Sequence, residues 1–494
     1  MMVRTWLRWS AFAAAVVTLA ACVSKDEPVA PVPTTASTAS SGVGGAGGAG
    51  GSESAVTSDA ASTGAGGAPT YAINTSYESW HSPDVKASAF FAPHDDVEAV
   101  VLGELARAKK SLHLAFFNIR LEQVKTVLEQ KVKAGLDVHV LLDKKQQDES
   151  YNTMYEDLQA VGVPVTLIEN KSAADATLHD KFTVIDGERV MTGSANFSYT
   201  ALHVSDESLV VAKSGDLAAR YEAEFDELVA QGSAKSPAYG SEKIRAWMGP
   251  EDSLATKIGI AIDAAKKTAF IAMFNLNTDN ILDALVAAKE RGVNVVVVLD
   301  KKQADDPTGT ADELLTAAGV KVLKALNTGS NQAEMHHKYA VLDHATVLVG
   351  SNNWTNLGSY FNDENLLVID DVGVATRFEG NFGDLLTTYG ADPAKLGLNT
   401  GMIEVTLRVS NVTLGPGLEL RVFSEKGGPF EKTFALTKGE LLLKVPAGTR
   451  LDYSYKIVDG STDLVVEHGG AKLAHSFTVP YFEGPHLVTD AFIP

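Results

Sequence analysis

The sequence predicts an α/β protein with two tandem, pseudosymmetric copies of one domain, followed by a small C-terminal β-sandwich. The first observation is an internal repeat, in which AKKSLHLAFFN at Ala108 aligns with AKKTAFIAMFN at Ala265. The same offset of 157 residues superposes His179 on His336 without a gap. The second is that apolar runs alternate with amphipathic stretches in both copies, and the third is a change to short alternating runs after Gly401.

Length and charge limit the classes of protein that fit. A chain of 494 residues is longer than one core usually serves, so several domains are expected. The chain has 62 acidic and 42 basic residues and a formal net charge of −20. This balance opposes unaided attraction to nucleic acid or anionic lipid, although a local basic cleft is compatible with it.

The N-terminus, residues 1–22, is typical of an export signal. Arg4 and Arg8 precede an apolar run over 11–19 that is too short to span a bilayer comfortably. The segment LAAC, which ends at Cys22, resembles a bacterial lipobox. The resemblance implies cleavage before Cys22 and lipid on its thiol, hence an exported lipoprotein of the outer membrane, periplasm or cell surface. An ordinary signal peptide and a secreted protein are the alternative.

Residues 23–75 predict a disordered tether, because Gly, Ser, Ala, Thr and Pro dominate and leave little to bury. A chain of this kind and length reaches about 35 Å on average, so lipid on Cys22 would hold the folded body loosely near a membrane. Cys22 is also the only cysteine, so no internal disulfide is expected.

The first copy of the repeated domain spans 76–235 and the second spans 240–393. In the first, LHLAFFNI, VHVLLD, VPVTLIE, KFTVID and SLVVA predict strands, and LEQVKTVLEQKVKAG and DLAARYEAEFDELVAQ predict amphipathic helices. Strands that are apolar throughout are typical of sheets covered on both faces. Residues 400–494 contain IEVTLRVS, LELRVFS, ELLLKV, RLDYSYKIV and AHSFTVP between Gly, Pro and Asn, which predicts the β-sandwich.

The segment HDKFTVID carries the first group of candidate catalytic residues. His179 and Lys181 are two residues apart, so on a strand both side chains project from the same face and can touch one substrate. Asp186 lies five residues beyond Lys181, an odd step, so it faces the other way and is predicted to support the site. The second copy repeats this pattern at His336, Lys338 and Asp343.

A histidine beside a lysine suits an anionic electrophile, because imidazole can attack phosphorus while ammonium neutralises the phosphate oxygens. A site between the two copies would hold two of each residue, so one histidine could be the nucleophile while the other protonates the leaving oxygen. We assign His179 as nucleophile and His336 as acid, and the reverse assignment stays open. The phosphate-binding residues are predicted to be Asn196 and Asn353, with Ser194 and Ser351 assisting.

Each copy also contains an acid 28 residues after its histidine, namely Glu207 and Glu364. A carboxylate that accepts a hydrogen bond from the far ring nitrogen would fix the histidine tautomer and raise its basicity. Both glutamates are therefore predicted to orient the histidines.

These residues, in register in both copies, resemble the HKD signature of the phospholipase D superfamily. The resemblance covers 76–235 and 240–393 and implies two phospholipase D-like α/β domains, one active site between them in a monomer, and a phosphohistidine intermediate. It also implies that neither a metal nor another cofactor is needed. The stretch FFAPHDDVEAVVLGELARAKKSL is similar to the small bacterial nuclease-like branch, which includes cardiolipin- and phospholipid-cleaving members.

The C-terminal region, 400–494, resembles the starch-binding modules that are appended to amylases. Such modules bind sugar on tryptophan platforms, yet Val466 stands where tryptophan is expected before Glu467, and no tryptophan follows Trp354. A spacer, or a domain that binds another glycan or a protein, is at least as well supported as starch binding.

Other polar residues are weaker candidates. His113 and His139 lie inside apolar strands and are predicted to pack there. The pairs 144–145 and 301–302 are lysines at strand ends, where a ligand loop and a solvated turn are equally compatible. His337 should point away from the site. No metal-ligand spacing, glycine-rich phosphate loop or serine-nucleophile elbow occurs in the sequence.

The predicted function is a phosphodiesterase of the phospholipase D type that hydrolyses or transfers phospholipid headgroups. A metal-independent endonuclease is the alternative, and a non-catalytic, surface-anchored binding protein is the alternative of another class. The acidic composition and the predicted anchor favour phospholipid over nucleic acid, which requires many cationic contacts. Intact His, Lys and Asn in both copies argue against a silent protein.

Overall fold

The computed structural model describes residues 71–73, 78, 80–149, 152–230, 243–307, 309–424, 434–436, 439–467, 475–482 and 486–490. The predicted signal peptide, the lipid attachment at Cys22 and most of the predicted tether lie outside the described residues. Within them, every helix is too short or too polar to cross a membrane.

The first half of the described chain forms a mixed sheet with the strand order β2-β8-β7-β6-β3-β4-β5. Strands β3, β4 and β5 run parallel, and the other neighbours are antiparallel. The sequence pattern did not predict β2 and β7. The elements are β1 (Tyr71–Ile73), β2 (Ala87–Ala92), α1 (Val97–Arg107), β3 (Ser111–Phe116), α2 (Glu122–Lys133), β4 (Asp137–Asp143), α3 (Lys144–Gln147), α4 (Met154–Ala160), β5 (Val165–Ile168), β6 (Lys181–Ile185), β7 (Arg189–Gly193), α5 (Tyr199–His203), β8 (Glu207–Lys213) and α6 (Gly215–Ala230).

The second half repeats this topology, with the strand order β9-β15-β14-β13-β10-β11-β12. Each strand therefore has a counterpart at the same position of the other sheet, which confirms the duplicated α/β domain. The elements are β9 (Ile244–Gly249), α7 (Leu254–Ala264), β10 (Thr268–Met273), α8 (Asp279–Glu290), β11 (Asn294–Asp300), α9 (Lys301–Ala304), α10 (Ala311–Ala317), β12 (Lys321–Ala325), β13 (Lys338–Leu342), β14 (Thr346–Gly350), α11 (Asn356–Tyr360), β15 (Glu364–Asp370) and α12 (Val372–Thr388).

The inner faces of the two sheets share one hydrophobic core, to which α6 and α12 contribute Tyr221, Phe225, Phe378 and Phe382. The outer faces are covered separately, by α1, α2, α4 and α5 in the first half and by α7, α8 and α10 in the second. This burial on both faces explains why β6 and β13 are buried at every residue and read as continuous apolar runs.

Glycine ends β7 and β14 because the neighbouring strand comes too close for a side chain. A Cβ added at Gly193, which has φ +153°, would lie 2.1 Å from the Ser208 carbonyl oxygen. The same distance separates a Cβ at Gly350 from the Asn365 carbonyl oxygen. A side chain at either position would collide with the neighbouring strand. Close packing against the strands that begin at Glu207 and Glu364 therefore requires the glycine of each repeated Gly-Ser pair.

The C-terminal region has two sheets around its own core, with strand orders β20-β16-β24 and β19-β18-β21-β22. Helix α12 packs against it so closely that a Cβ at Gly380 would lie 2.5 Å from the Thr478 carbonyl oxygen. The region consists of β16 (Met402–Val409), β17 (Val412–Leu414), β18 (Leu418–Phe423), β19 (Phe434–Leu436), β20 (Glu440–Pro446), β21 (Arg450–Asp459), β22 (Thr462–Val466), β23 (His475–Thr478) and β24 (His486–Asp490).

The predicted tether ends earlier than the sequence indicated. Strand β1 falls within 23–75, yet it pairs antiparallel with β17, with Tyr71 opposite Leu414 and Ile73 opposite Val412. The composition of the segment did not reveal this strand, because its pairing partner lies in a distant part of the chain. The polypeptide that follows the tether is therefore attached to the C-terminal region.

Asp186 and Asp343 were predicted to face away from the substrate and to support the site, and in the structure each carboxylate holds the backbone at the start of a neighbouring strand. Asp186 lies in the turn after β6 with φ +57°, and its carboxylate accepts hydrogen bonds from the backbone N–H groups of Lys109, Lys110 and Ser111 at 2.6–3.0 Å. Asp343 does the same for 266–268 at 2.7–3.0 Å. Each residue anchors the start of a central strand, β3 or β10. Each lies just beyond the end of β6 or β13 that is farther from the lysine.

We expect Asp186→Ala to lower the free energy of unfolding by about 1–2 kcal/mol, because three backbone donors lose a charged acceptor that is partly exposed to solvent. Partial burial raises the pKa of Asp186, but the backbone N–H groups outweigh this and lower it overall. The contribution is therefore present above about pH 4 and is lost as pH falls through the folded-state pKa.

Chemical denaturation of Asp186→Ala and of the control Glu188→Ala, a partly exposed neighbour, tests this assignment. The control should change stability by less than about 0.5 kcal/mol. Equal stability of the two variants would contradict an anchoring role for Asp186.

Candidate active site

Each candidate histidine is held at its backbone by the other half of the protein. His179 N–H donates to the Asp363 carbonyl at 2.9 Å, and His336 N–H donates to the Asp206 carbonyl at 3.0 Å. These bonds belong to short parallel bridges that join the segment before β6 to the segment before β15, and the segment before β13 to the segment before β8. The histidines therefore meet at the seam between the two sheets.

The glutamate that orients each histidine also comes from the other half. His179 Nδ1 lies 2.7 Å from Glu364 Oε1, and His336 Nδ1 lies 2.6 Å from Glu207 Oε1. The sequence predicted the orienting role but not this crossed pairing, because spacing within one copy carries no information about docking. With Nδ1 bonded to a carboxylate, Nε2 is the nitrogen that remains for chemistry.

Burial sets the protonation of both pairs. It raises the pKa of Glu207 and of Glu364 to about 8 each. Burial also lowers the pKa values of His179 and His336 well below the usual range, because both residues are almost completely buried. Both shifts favour the uncharged form of each group, and because the groups are hydrogen-bonded they titrate as a pair.

Ser194 and Ser351 were predicted to assist in binding phosphate, and the structure places them elsewhere. Both are fully buried. Ser194 Oγ donates to Glu207 Oε2, and Ser351 Oγ donates to Glu364 Oε2 at 2.6 Å. Because a hydroxyl has one proton, each serine is committed to holding its glutamate and not to a substrate.

The two lysines lie beside the histidines as predicted. Lys181 Nζ donates to the His179 carbonyl at 2.7 Å, and Lys338 Nζ donates to the His336 carbonyl at 2.8 Å. Burial lowers the pKa of Lys181 to about 7. Burial is the main cause of the lowered pKa of His179, and the charges of Lys181 and Lys338 lower it further. Lysines from both halves therefore contribute to the electrostatic surroundings of this histidine.

Asn196 and Asn353 offer side-chain amides that the protein itself leaves open. Their Oδ1 atoms are buried and have no hydrogen-bond partner among the described residues. A buried acceptor without a partner is costly, so each Oδ1 is a natural contact for a donor such as water, whereas a phosphate oxygen would need the Nδ2 donor of the same amide. The predicted phosphate-binding role of both asparagines remains a prediction.

The residues that fix the loop before each histidine were not predicted from the sequence. Asp143 caps α3 through Gln146 N–H at 2.9 Å and accepts from Leu178 N–H at 3.0 Å. Lys145 Nζ donates to the carbonyls of Ala174 and Ala176 at 2.7 and 2.6 Å. The sequence DKKQ, which occurs in both copies, was the available signal. It marks residues that position the loop before the histidine, and not a loop that binds a ligand. The second half uses Asp300 and Lys302 in the same way.

Three further histidines, His113, His139 and His337, lie where the sequence predicted. His113 Nδ1 lies 2.6 Å from Glu222, and His139 Nε2 lies 2.8 Å from Thr166. His337 is buried against the rings of Phe91 and Tyr339, on the side opposite to the site. Among the described residues, no group of three or more His, Cys, Asp or Glu side chains is arranged to hold a metal ion.

Comparison with known proteins places these features in a family. The family model described as "Cardiolipin synthase, PLD-like domain" matches residues 101–229 and 258–386. The mitochondrial cardiolipin hydrolase of Xenopus laevis is 32% identical over 143 residues, which cover 29% of this chain and 65% of that protein. A phospholipase D of Rickettsia felis is 25% identical over 136 residues, which cover 28% of this chain and 66% of that protein. The chain thus spans just under two thirds of the length of these relatives.

Among solved structures, the phospholipase D family member Nuc from Salmonella typhimurium is 28% identical, with a TM-score of 0.28. The match covers 29% of this chain and 93% of Nuc. Because the family model covers both halves, this chain belongs to the PLD-like domain family of the phospholipase D superfamily and contains two copies of the domain.

Proposed function

We propose that the protein is a phosphodiesterase that cleaves the headgroup diester of a phospholipid through a phosphohistidine intermediate. The observation that carries this proposal is the crossed pairing of His179 with Glu364 and of His336 with Glu207, beside two buried lysines. Such a site offers a nucleophile and a proton donor on opposite sides of one phosphate, with cations to balance its charge.

In the first step, Nε2 of His179 forms a bond to phosphorus while the bond from phosphorus to the leaving oxygen breaks. His336 gives its Nε2 proton to that oxygen, so the alcohol leaves in the neutral form. In the second step, His336 takes a proton from water, the water oxygen attacks phosphorus, and the P–N bond breaks. An alcohol in place of water gives transfer instead of hydrolysis.

The surroundings of the site favour a substrate with one phosphodiester over a polyanion. Lysines that flank the site are already paired: Lys144 and Lys171 lie 3.3 and 3.6 Å from Glu169, and Lys301 pairs with Asp305. A nucleic acid needs many cationic contacts, whereas a phospholipid diester needs charge only at the reacting phosphate. Mitochondrial cardiolipin hydrolase and phospholipase D among the relatives are compatible with this preference.

The predicted export and anchoring complete the proposal. Lipid on Cys22 would hold the enzyme beside a membrane, and the pairing of β1 with β17 would attach the tether to the C-terminal region. That region would then lie between anchor and catalytic halves, where it could bind a glycan or a protein or serve as a spacer.

His179→Ala and His336→Ala should each lower turnover by about 10³-fold or more, because each removes one of the two groups that the two-step reaction requires. The double variant should lose little more than either single variant. Headgroup release from phospholipid micelles is the measurement.

His139→Asn serves as the control for these variants, since its ring contacts Thr166 and Phe225 and not the histidine–glutamate pairs, and we expect it to stay within a few-fold of the unmodified protein. Near-normal turnover of either alanine variant would contradict a shared site. A trapped phosphatidyl adduct should map to His179, and an adduct on His336 would reverse the two roles.

The purified protein should release headgroups from vesicles of phosphatidylcholine, phosphatidylethanolamine or cardiolipin, and EDTA should leave the rate unchanged, because lysines neutralise the phosphate. Single- and double-stranded DNA are assayed in parallel under the same conditions. Degradation of DNA in EDTA with all three lipids intact would replace the proposal with an endonuclease, and loss of lipid cleavage in EDTA would contradict the lysine-based site.

Cys22→Ser should move the protein from the membrane to the soluble fraction with its turnover retained, because the tether is separate from the seam where catalysis is proposed. Cell fractionation followed by headgroup release measures both properties. Membrane association equal to that of the unmodified protein would contradict the anchor.

A further inference from the structure

The two halves of the site match at the residues proposed for catalysis, but they differ in charge two residues before each histidine. Glu334 precedes His336, and the counterpart that precedes His179 is Thr177. Both residues are half-buried. A pseudosymmetric site that carries an acid on only one side will treat the two sides of a bound phosphodiester differently.

The backbone of each residue is fixed in the same way by the opposite half. The Glu334 carbonyl accepts from Asp206 N–H at 2.9 Å, and the Thr177 carbonyl accepts from Asp363 N–H at 3.1 Å. Glu334 N–H donates to Ser205 Oγ at 3.2 Å. Because the two chain segments are held equivalently, the difference between the sides lies in the side chains.

The Glu334 carboxyl group belongs to the electrostatic surroundings of the proposed acid. Asp206 bridges to Met335, whose side chain is buried in the shared core, so the side chains of Glu334 and His336 project to the other side of this segment. Burial raises the pKa of Glu334, and the charge of His336 opposes this effect. In turn, burial and Lys338 lower the pKa of His336 whereas Glu334 raises it. His336 therefore has two carboxyl groups beside it, Glu334 and the directly bonded Glu207, and this second acid is missing at Thr177 beside His179.

The geometry of phosphoryl transfer determines which part of the substrate Glu334 faces. The attacking nitrogen and the leaving oxygen lie on opposite sides of phosphorus. With His179 as nucleophile, the leaving alcohol departs toward His336 and so toward Glu334. The diacylglycerol phosphate, now bonded to His179, then remains on the side of Thr177. This step rests on the proposed function.

We propose that Glu334 is a specificity-determining residue that selects the leaving alcohol. Its carboxylate attracts an alcohol that carries an ammonium group or several hydroxyl groups, and it repels an alcohol that carries an anion. A cationic group near a half-buried carboxylate gains a Coulomb interaction that a neutral alkyl group of the same size lacks.

The test compares two lipids that differ only at the end of the leaving alcohol. Phosphatidylethanolamine carries an ammonium group, and phosphatidylethanol carries hydrogen at that position. The full chain is assayed with both lipids in the same detergent micelles, and kcat/KM is measured for each. The unmodified protein should prefer phosphatidylethanolamine, and Glu334→Gln should reduce that preference by about fivefold. Glu334→Thr, which copies Thr177, should do the same.

Thr177→Val is the matched control, because it changes the counterpart position without changing charge, and the preference ratio should stay at the starting value. A ratio that is unchanged in Glu334→Gln would overturn the inference. Equal kcat/KM for the two lipids in the unmodified protein would overturn it without any variant. Release of neither alcohol would overturn the proposed function as well, which distinguishes the two failures.

Discussion

The structure depends on two buried hydrogen bonds that cross from one half of the protein to the other. Glu364 orients His179 and Glu207 orients His336, so neither half contains a complete pair by itself. Separating the halves would leave these groups unpaired, together with others that are bonded across the seam such as Asn365 with Asp180, and each buried group without a partner costs free energy. The shared core between the inner faces of the sheets keeps that seam closed. Stability and site assembly therefore come from the same interface.

Duplication within one chain allows counterpart positions to diverge, which two identical subunits could not do. Asp180 follows His179 and accepts a hydrogen bond from Asn365 at 2.7 Å, behind the site. Its counterpart His337 packs against aromatic rings instead. The histidines, lysines and orienting glutamates are matched between the halves, whereas positions 180 and 337 are not.

Sequence patterns predicted those features that depend on local periodicity. The repeat, the strand that begins at Lys181 just after His179, and the C-terminal strands follow from spacing and apolar alternation, and the structure contains them. Patterns failed where a contact joins distant segments. The crossed glutamates and the pairing of β1 with β17 both depend on docking. Asp186 was predicted to have a supporting role, but the groups that it holds could not be predicted from spacing, because the turn after β6 brings its carboxylate to the backbone N–H groups of a different strand.

Burial favours the neutral forms of titratable groups at the seam, and this bears on how the site would bind an anion. Burial lowers the pKa of Lys181 to about 7 and raises the pKa of Glu364 to about 8, so it favours the neutral form of both groups. A phosphodiester anion reverses this for the lysine, because an adjacent negative charge stabilises ammonium. If the site binds a phosphodiester as proposed, binding would draw a proton onto Lys181 and strengthen the field at phosphorus. Buried groups that are held near neutrality would then become charged as the proposed anion binds.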